Sequence, residues 1–180
     1  NIKLDNPDMW FMMGYFIGNS YFTGNGCFID NDCCVDTMRE YSVMKRICFC
    51  INEKHIDNIL NISKHWLPLN FSHHSCKSGK TSVYVSYDKV WFNIFKKFGK
   101  YAHEKLIPEW VQDAPKEYIQ EFINGYQTAD SCIIKNDCYE FATVSYNLAF
   151  GLQRLYLKLG QLFGINKYIR PKTTVIEGKT

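Results

Sequence analysis

Asp130 is the residue whose surroundings most clearly set it up to do chemistry. It closes the stretch Phe122-Ile-Asn-Gly-Tyr-Gln-Thr-Ala-Asp130-Ser131, which reads as a helix ending in a carboxylate. Gly125 and Ala129 are four residues apart and therefore share one helical face. That face is nearly bare of side chains, so a second helix can approach backbone to backbone, as small residues at this spacing allow elsewhere. An upstream stretch repeats the pattern: Phe11-Met-Met-Gly14-Tyr-Phe-Ile-Gly18-Asn19-Ser20. Aligning Gly14 with Gly125 sets Asn19 opposite Asp130. Two such helices, packed small face to small face, bring positions 19 and 130 together at one end.

Other reactive side chains are less organised. The eight cysteines include no C-x-x-C pair, and Cys48 and Cys50 are spaced as on one face of a strand. Free thiols in a reducing intracellular compartment are the preferred reading over disulfides or zinc. His73-His74-x-Cys76 is read as a loop with two polar imidazoles rather than as a metal site. The net charge of +3 permits a nucleic-acid partner without demanding one, because a local patch matters more than the total. No run of 18 apolar residues appears and the first residues lack a signal-peptide pattern, so a non-exported chain with no membrane partner is expected. With 180 residues, nearly half of them apolar, the chain can bury a real core as one domain or two small halves.

The elements that must position Asn19 and Asp130 follow from periodicity and punctuation. Asn6-Pro7 opens the first helix as cap and first-turn proline, with Asp8 favourably placed, and the helix runs to about Gly18. Strands are expected over Tyr21–Asp30 and Tyr41–Ile51, the latter alternating Ile47, Phe49 and Ile51 against Arg46, Cys48 and Cys50. A helix over Glu53–Trp66 follows, then a short strand at Leu69–Ser72 and a loop His73–Lys80. Thr81–Tyr87 alternates Val83 and Val85 against Ser82, Tyr84 and Ser86. Asp88 caps a helix with Val90, Trp91, Ile94, Phe95 and Phe98 on its buried stripe, closed by Gly99. A second unit starts at Asp113 and Pro115. It comprises the helix ending at Asp130, strands at Ser131–Lys135 and Tyr139–Val144, and a helix capped by Ser145 with Leu148, Leu152, Leu155 and Leu159 in phase. Strand-like stretches at Lys167–Arg170 and Thr173–Glu177 close the chain. The order of the first unit recurs at a period of about 110 residues, without its last helix.

On these residues the chain resembles the LAGLIDADG homing endonucleases, in the single-chain, two-motif form found inside inteins. Met12–Ser20 is similar to the first motif and Ile123–Ser131 to the second. Lys105-Leu-Ile-Pro108-Glu-Trp110 resembles the Lys-x-Ile-Pro segment before the second motif, and Thr143-Val-Ser145-Tyr-Asn-Leu148-Ala149 the strand-to-helix step after it. The resemblance covers nearly the whole chain. It implies an α+β fold of two αββαββα halves related by a pseudo-twofold axis, the second half incomplete at its C-terminal side. Residues 1–99 would form the first half, 100–114 the connector and 115–180 the second half. The implied molecule is a monomer with internal pseudo-symmetry, embedded in a host protein as part of an intein.

The resemblance also implies a function: binding of a long double-stranded DNA site and its metal-dependent cleavage. The outward alternates of the strands would read base edges in the major groove, here Arg46, Ser82, Tyr84 and Ser86, with Lys77 and Lys80 near phosphates. One acid from each motif helix would hold Mg²⁺ or another divalent cation, which activates water and steadies the leaving oxygen. Asp130 stands at the second of these positions. Asn19 stands at the first, and this is the main departure from the pattern, because an amide is a neutral, weaker ligand for Mg²⁺. Cleavage is therefore expected to be impaired or reduced to nicking. Lys105 matches the active-site lysine of intein-type members, with stabilisation of charge at the scissile phosphate as its implied role. A surface lysine beside Lys96, Lys97 and Lys100 touching DNA backbone is the alternative. For the whole chain, the alternatives are a catalytically inactive nucleic-acid-binding remnant and a purely structural insert.

Overall fold

The computed structural model describes residues 3–23, 45–74, 80–133 and 139–169, and two crossed helices form its centre. Helix α1 spans Pro7–Asn19, with Asn6 accepting a hydrogen bond from the Asp8 N–H at 2.9 Å and Pro7 in the first turn. Helix α5 spans Lys116–Asp130 and starts after Pro115. Their contact is backbone on backbone. A Cβ added at Gly14 would lie 1.8 Å from the Phe122 carbonyl oxygen, and one added at Gly125 would lie 1.8 Å from that of Phe11. The next neighbours match as well, with Tyr126 N at 2.9 Å from the first and Tyr15 N at 2.9 Å from the second. Each helix thus meets the other through the same set of positions. Near the ends, a Cβ on Gly18 would stand 2.5 Å from the Ala129 Cβ. The small-residue faces meet as their spacing requires.

The first sheet wraps one flank of this pair. Strands β1 (Ser20–Thr23), β2 (Arg46–Asn52), β3 (Asn70–His74) and β4 (Thr81–Ser86) form a four-stranded antiparallel sheet in the order β1-β2-β4-β3. Helix α2 (Ile56–Ser63) connects β2 to β3, and α3 (Lys89–Phe95) follows β4. The α3 cap is the expected one: Asp88 accepts from Val90 N–H at 2.8 Å and Trp91 N–H at 2.9 Å. Phe16 of α1 packs on Phe49 of β2 and Phe95 of α3, with ring centroids 5.9 and 4.6 Å away. Ile47, Phe49 and Ile51 therefore point at the helices and belong to the main core with Met12, Met13, Ile17, Trp91 and Phe122.

Register then fixes which row of β4 faces the same way, since directly paired residues share a face. Ile47 pairs with Ser86, Phe49 with Tyr84 and Ile51 with Ser82. Ser82, Tyr84 and Ser86 consequently lie on the helix side, and the two serines are 2% exposed. Their expected outward orientation is reversed. The far face carries Arg46, Cys48 and Cys50 of β2 opposite Val83 and Val85 of β4, and Cys48, Val83 and Val85 form a small apolar cluster of their own. The buried serines are tolerated because they find partners: Ser82 Oγ lies 3.0 Å from His74 Nδ1, and Ser86 Oγ accepts from Asp88 N–H at 3.3 Å.

The remainder is smaller. Helix α4 (Glu109–Gln112) sits in the connector, β5 (Cys132–Ile133) pairs with β6 (Tyr139–Glu140), and α6 (Tyr146–Lys158) is capped by the Ser145 hydroxyl, which accepts from Leu148 N–H at 3.2 Å. The strands expected at Ser131–Lys135 and Tyr139–Val144 are thus two residues each among the described residues. Residues 167–169 run without strand structure, contrary to expectation, and Thr173–Glu177 lies outside the described residues. His73 and His74, expected in a loop, belong to β3. The helix expected from Glu53 opens with a 3-10 turn and becomes α-helical at Ile56. Among the described residues no helix is long and apolar enough to cross a membrane, and Cys50 is a half-buried free thiol.

Candidate functional site at the paired helix ends

Because α1 and α5 cross in contact and end at the same side, their last residues are neighbours. Asn19 donates its side-chain N–H to the Ala129 carbonyl at 2.9 Å. That carbonyl is in the last turn of α5, where backbone acceptors lack intrahelical donors. Asp130 is the next residue and its side chain reaches solvent. The expected meeting of positions 19 and 130 is present in the fold, but the amide bonds to backbone rather than to the carboxylate.

Lys105 completes the group. Its ammonium donates to the Ile17 carbonyl, an acceptor in the last turn of α1. The connector is held so that this side chain points inward. Gly99 has φ of 93°, a conformation that suits glycine, and a Cβ there would lie 2.3 Å from the Glu104 carbonyl oxygen. Leu106 N–H bonds to Phe98 O at 3.0 Å, Ser145 Oγ donates to Lys105 O at 2.6 Å, and Gln112 Nε2 donates to Ile107 O at 2.7 Å. Lys105 is therefore no free surface lysine. It is half-buried at the helix junction.

Electrostatics at this point is a contest between burial and charge. Burial pushes the Lys105 ammonium below the ordinary lysine value, while Asp130 and Cys50 pull it back up. Burial likewise raises the Asp130 carboxyl, with Lys105 opposing. In both groups loss of solvent is the larger effect. The Cys50 thiol is raised chiefly by burial and then by Cys48. Two tyrosines at matching helix positions frame the junction. The Tyr15 hydroxyl donates to Cys50 O at 3.2 Å, whereas the Tyr126 hydroxyl is buried with no hydrogen-bond partner among the described residues. Burial holds both phenols above the ordinary tyrosine value.

The donor set does not make the two-acid cation site that the resemblance implies. It offers one carboxylate, one neutral amide whose N–H₂ is engaged by Ala129 O, and an ammonium held by the Ile17 carbonyl. Among the described residues, no cluster of three or more His, Cys, Asp or Glu side chains forms a cation cage. Asp130 and the Asn19 carbonyl oxygen are the only acceptor side chains that motif positions 19 and 130 contribute.

The expected DNA-contacting residues divide. Arg46 lies on the far face of the sheet and Lys80 is exposed beside β4. Ser82, Tyr84 and Ser86 lie on the helix side, and Lys77 is outside the described residues. The far face brings in side chains that alternation alone did not select: Tyr21 opposite Cys48, Asn70 opposite Val85 and His73 opposite Val83. A bulge between Phe71 and His73 puts Asn70 and His73 on the same side, which no period-two pattern would reveal.

No protein-family model and no curated protein sequence matches the chain. Among solved structures, it is similar to a variant of I-DmoI in complex with its target DNA, nicked in the coding strand, in the presence of Mn. The TM-score is 0.53 at 10% identity, over 86% of this chain and 77% of that one. A mesophilic variant of the homing endonuclease I-DmoI is matched more loosely, with a TM-score of 0.41 at 9% identity over 70% of this chain and 59% of that one. The fold is thus α+β with an antiparallel four-stranded sheet, and it resembles that of a homing endonuclease.

Proposed function

We propose that this chain is a duplex-DNA-binding domain built as two LAGLIDADG-type halves, residues 1–99 and 115–180 joined by 100–114, in which metal-dependent phosphodiester cleavage is impaired. The observation that supports this reading is the helix pair itself. Matching positions of α1 and α5 interpenetrate through Gly14 and Gly125, yet the two ends carry different groups, Asn19 and Asp130. The fold's similarity to a DNA-bound structure supports duplex DNA as the partner. The exposed rim of the far face, Tyr21, Asn70 and His73 with the part-buried Arg46, would meet the groove around a centre that is itself buried, and Lys80 would lie toward phosphates. Asp130 would be the one acid of the pair, too few to hold Mg²⁺ or another divalent cation without further ligands from the DNA. Lys105 would stabilise charge at a phosphate that reaches the junction.

Binding is tested by selection from a randomised duplex pool, followed by titration of the selected duplex at several salt concentrations. The expected result is saturable binding whose affinity falls log-linearly with salt. Incubation of a supercoiled plasmid carrying that sequence with Mg²⁺ should give no linear product and at most nicked circles. Failure to retain any duplex at low salt would overturn the reading. Efficient double-strand cleavage would overturn the impairment. A catalytically silent DNA binder is the second reading, favoured by the Asn19 hydrogen bond to Ala129; complete absence of nicking selects it.

A further inference from the structure

The charge balance at the helix ends carries an inference that goes beyond DNA binding; it rests on the two-half reading for the expectation of a cation here, and its test uses no DNA. Each helix C-terminus is equivalent to roughly half a negative charge. Two such termini and one carboxylate give the junction about −2 before any partner is counted. With a carboxylate at both positions it would be about −3, and a divalent cation would be the natural complement. Here position 19 is uncharged, and the protein supplies its own donors. Asn19 N–H₂ takes the Ala129 carbonyl of α5, and the Lys105 ammonium takes the Ile17 carbonyl of α1. Each donor caps the C-terminal end of one motif helix, Asn19 from the other helix and Lys105 from the connector.

We propose that Lys105 and Asn19 together are a protein-built replacement for the cation at this junction, Lys105 supplying the positive charge and Asn19 the cross-helix tie. The lysine is in place to do so because its backbone is fixed by Ser145 Oγ at 2.6 Å and by the Leu106–Phe98 bond at 3.0 Å. Asn19 is then an integral part of the structure, rather than a ligand position merely left vacant. Asn19→Asp alone would not create a cation site. It would turn a donor into an acceptor facing the Ala129 carbonyl, while Lys105 continued to occupy the positive position. A cation site should require removal of the ammonium as well.

The experiment measures thermal unfolding of the DNA-free protein with MgCl₂ or EDTA for the native sequence, Lys105→Arg, Lys105→Met, Asn19→Asp and the double variant Asn19→Asp/Lys105→Met. The native protein should have the same midpoint in both solutions. Lys105→Arg should stay close to it, whereas Lys105→Met and Asn19→Asp should each unfold at lower temperature. The double variant alone should gain a midpoint that rises with MgCl₂ concentration, as linkage to a bound ligand requires. A saturable, EDTA-reversible rise in the native protein would overturn the proposal, as would a rise in Asn19→Asp with Lys105 intact. These outcomes need no variant to fold beyond Asn19→Asp, since calorimetric titration of the native protein with MgCl₂ tests the first directly. They use no DNA, so failure here is distinguishable from failure of the DNA-binding reading.

Discussion

Replacing Gly14 by Ala is the most severe single-methyl change the structure offers, and its cost can be graded against other glycines. The added carbon would sit 1.8 Å from Phe122 O, 2.8 Å from Phe122 C and 2.9 Å from Tyr126 N. All three are backbone atoms within a helix, so no rotamer change relieves them. The helices must separate by roughly 1.5 Å to restore van der Waals distance, and a gap of about 1 Å already forfeits up to half of each contact's attraction. The buried side chains flanking the crossing, Met13, Phe16, Phe122 and Ile123, lose packing together. Destabilisation of about 3–5 kcal/mol is expected, in the range of large core deletions, even after the roughly 1 kcal/mol that Ala gains in a helix. Gly125→Ala should match it. Gly18→Ala, whose carbon meets side-chain carbons at 2.5 and 3.1 Å near the helix end, should cost about 1–3 kcal/mol. Gly151→Ala meets Ile107 side-chain atoms first, at 3.1–3.3 Å, and should fall within about 1 kcal/mol of the native protein. The double variant Gly14→Ala/Gly125→Ala should cost clearly less than the sum, because one separation relieves both clashes. Urea unfolding followed by tryptophan fluorescence measures the series, with midpoints compared at unchanged slope. If Gly14→Ala and Gly151→Ala shift the midpoint equally, the backbone contact is not what holds the helices.

The matched tyrosines give opposite expectations: Tyr126→Phe removes a buried hydroxyl with no partner and should stabilise by about 1 kcal/mol, whereas Tyr15→Phe removes a bond to Cys50 O and should cost about 1 kcal/mol. Both buried phenols are raised above the ordinary value of 10.0, so the folded state holds protons that the unfolded state releases. Their stabilisation is complete below about pH 10 and is lost as pH rises above it; denaturant midpoints between neutral and alkaline pH should show a steeper fall in the native protein than in the Tyr15→Phe/Tyr126→Phe variant. Asp88→Ala leaves the Val90 and Trp91 N–H groups uncapped and should cost about 1 kcal/mol by the same urea assay. Arg46→Ala should weaken duplex binding and reduce its salt dependence, while Ser86→Ala should leave affinity unchanged; the reverse result would return the groove-facing role to the helix-side row.

How much of this was legible depended on whether sequence chemistry discriminated between alternatives. The helix pair was legible because Gly14, Gly18, Gly125 and Ala129 leave no other reason for two bare faces at the same spacing. The Asn6, Asp88 and Ser145 caps were legible because a short polar side chain before an apolar stripe has few other uses. Strand alternation in Thr81–Ser86 was readable, but its sense was not. Val83 and Val85 are 1% and 4% exposed, and Ser82 and Ser86 are 2%, so both rows are buried and polarity says nothing about direction. Only the pairing of Ile51 with Ser82 and Ile47 with Ser86 resolves it. The donation of Asn19 to Ala129 O was hidden for a related reason. An amide is donor and acceptor at once, and its choice depends on an orphan carbonyl that exists only after the helices dock.

Helices α1 and α5 show which matching positions packing constrains and which it leaves free. Substitution at Gly14 or Gly125 meets a backbone oxygen at 1.8 Å, so the faces must stay bare for the helices to cross at all. Positions 19 and 130 project beyond the crossing, where exchanging a carboxylate for an amide changes charge but hardly volume. The same is true one turn earlier, where Tyr15 keeps its bond to Cys50 O and Tyr126 has no equivalent. Packing is therefore alike in the two helices, while the polar groups at their matching positions differ. Lys105 lies outside both helices, yet it bears on that difference: with an ammonium capping Ile17, an acid placed at position 19 meets a junction already supplied with positive charge. Asn19→Asp alone should therefore not create a cation site.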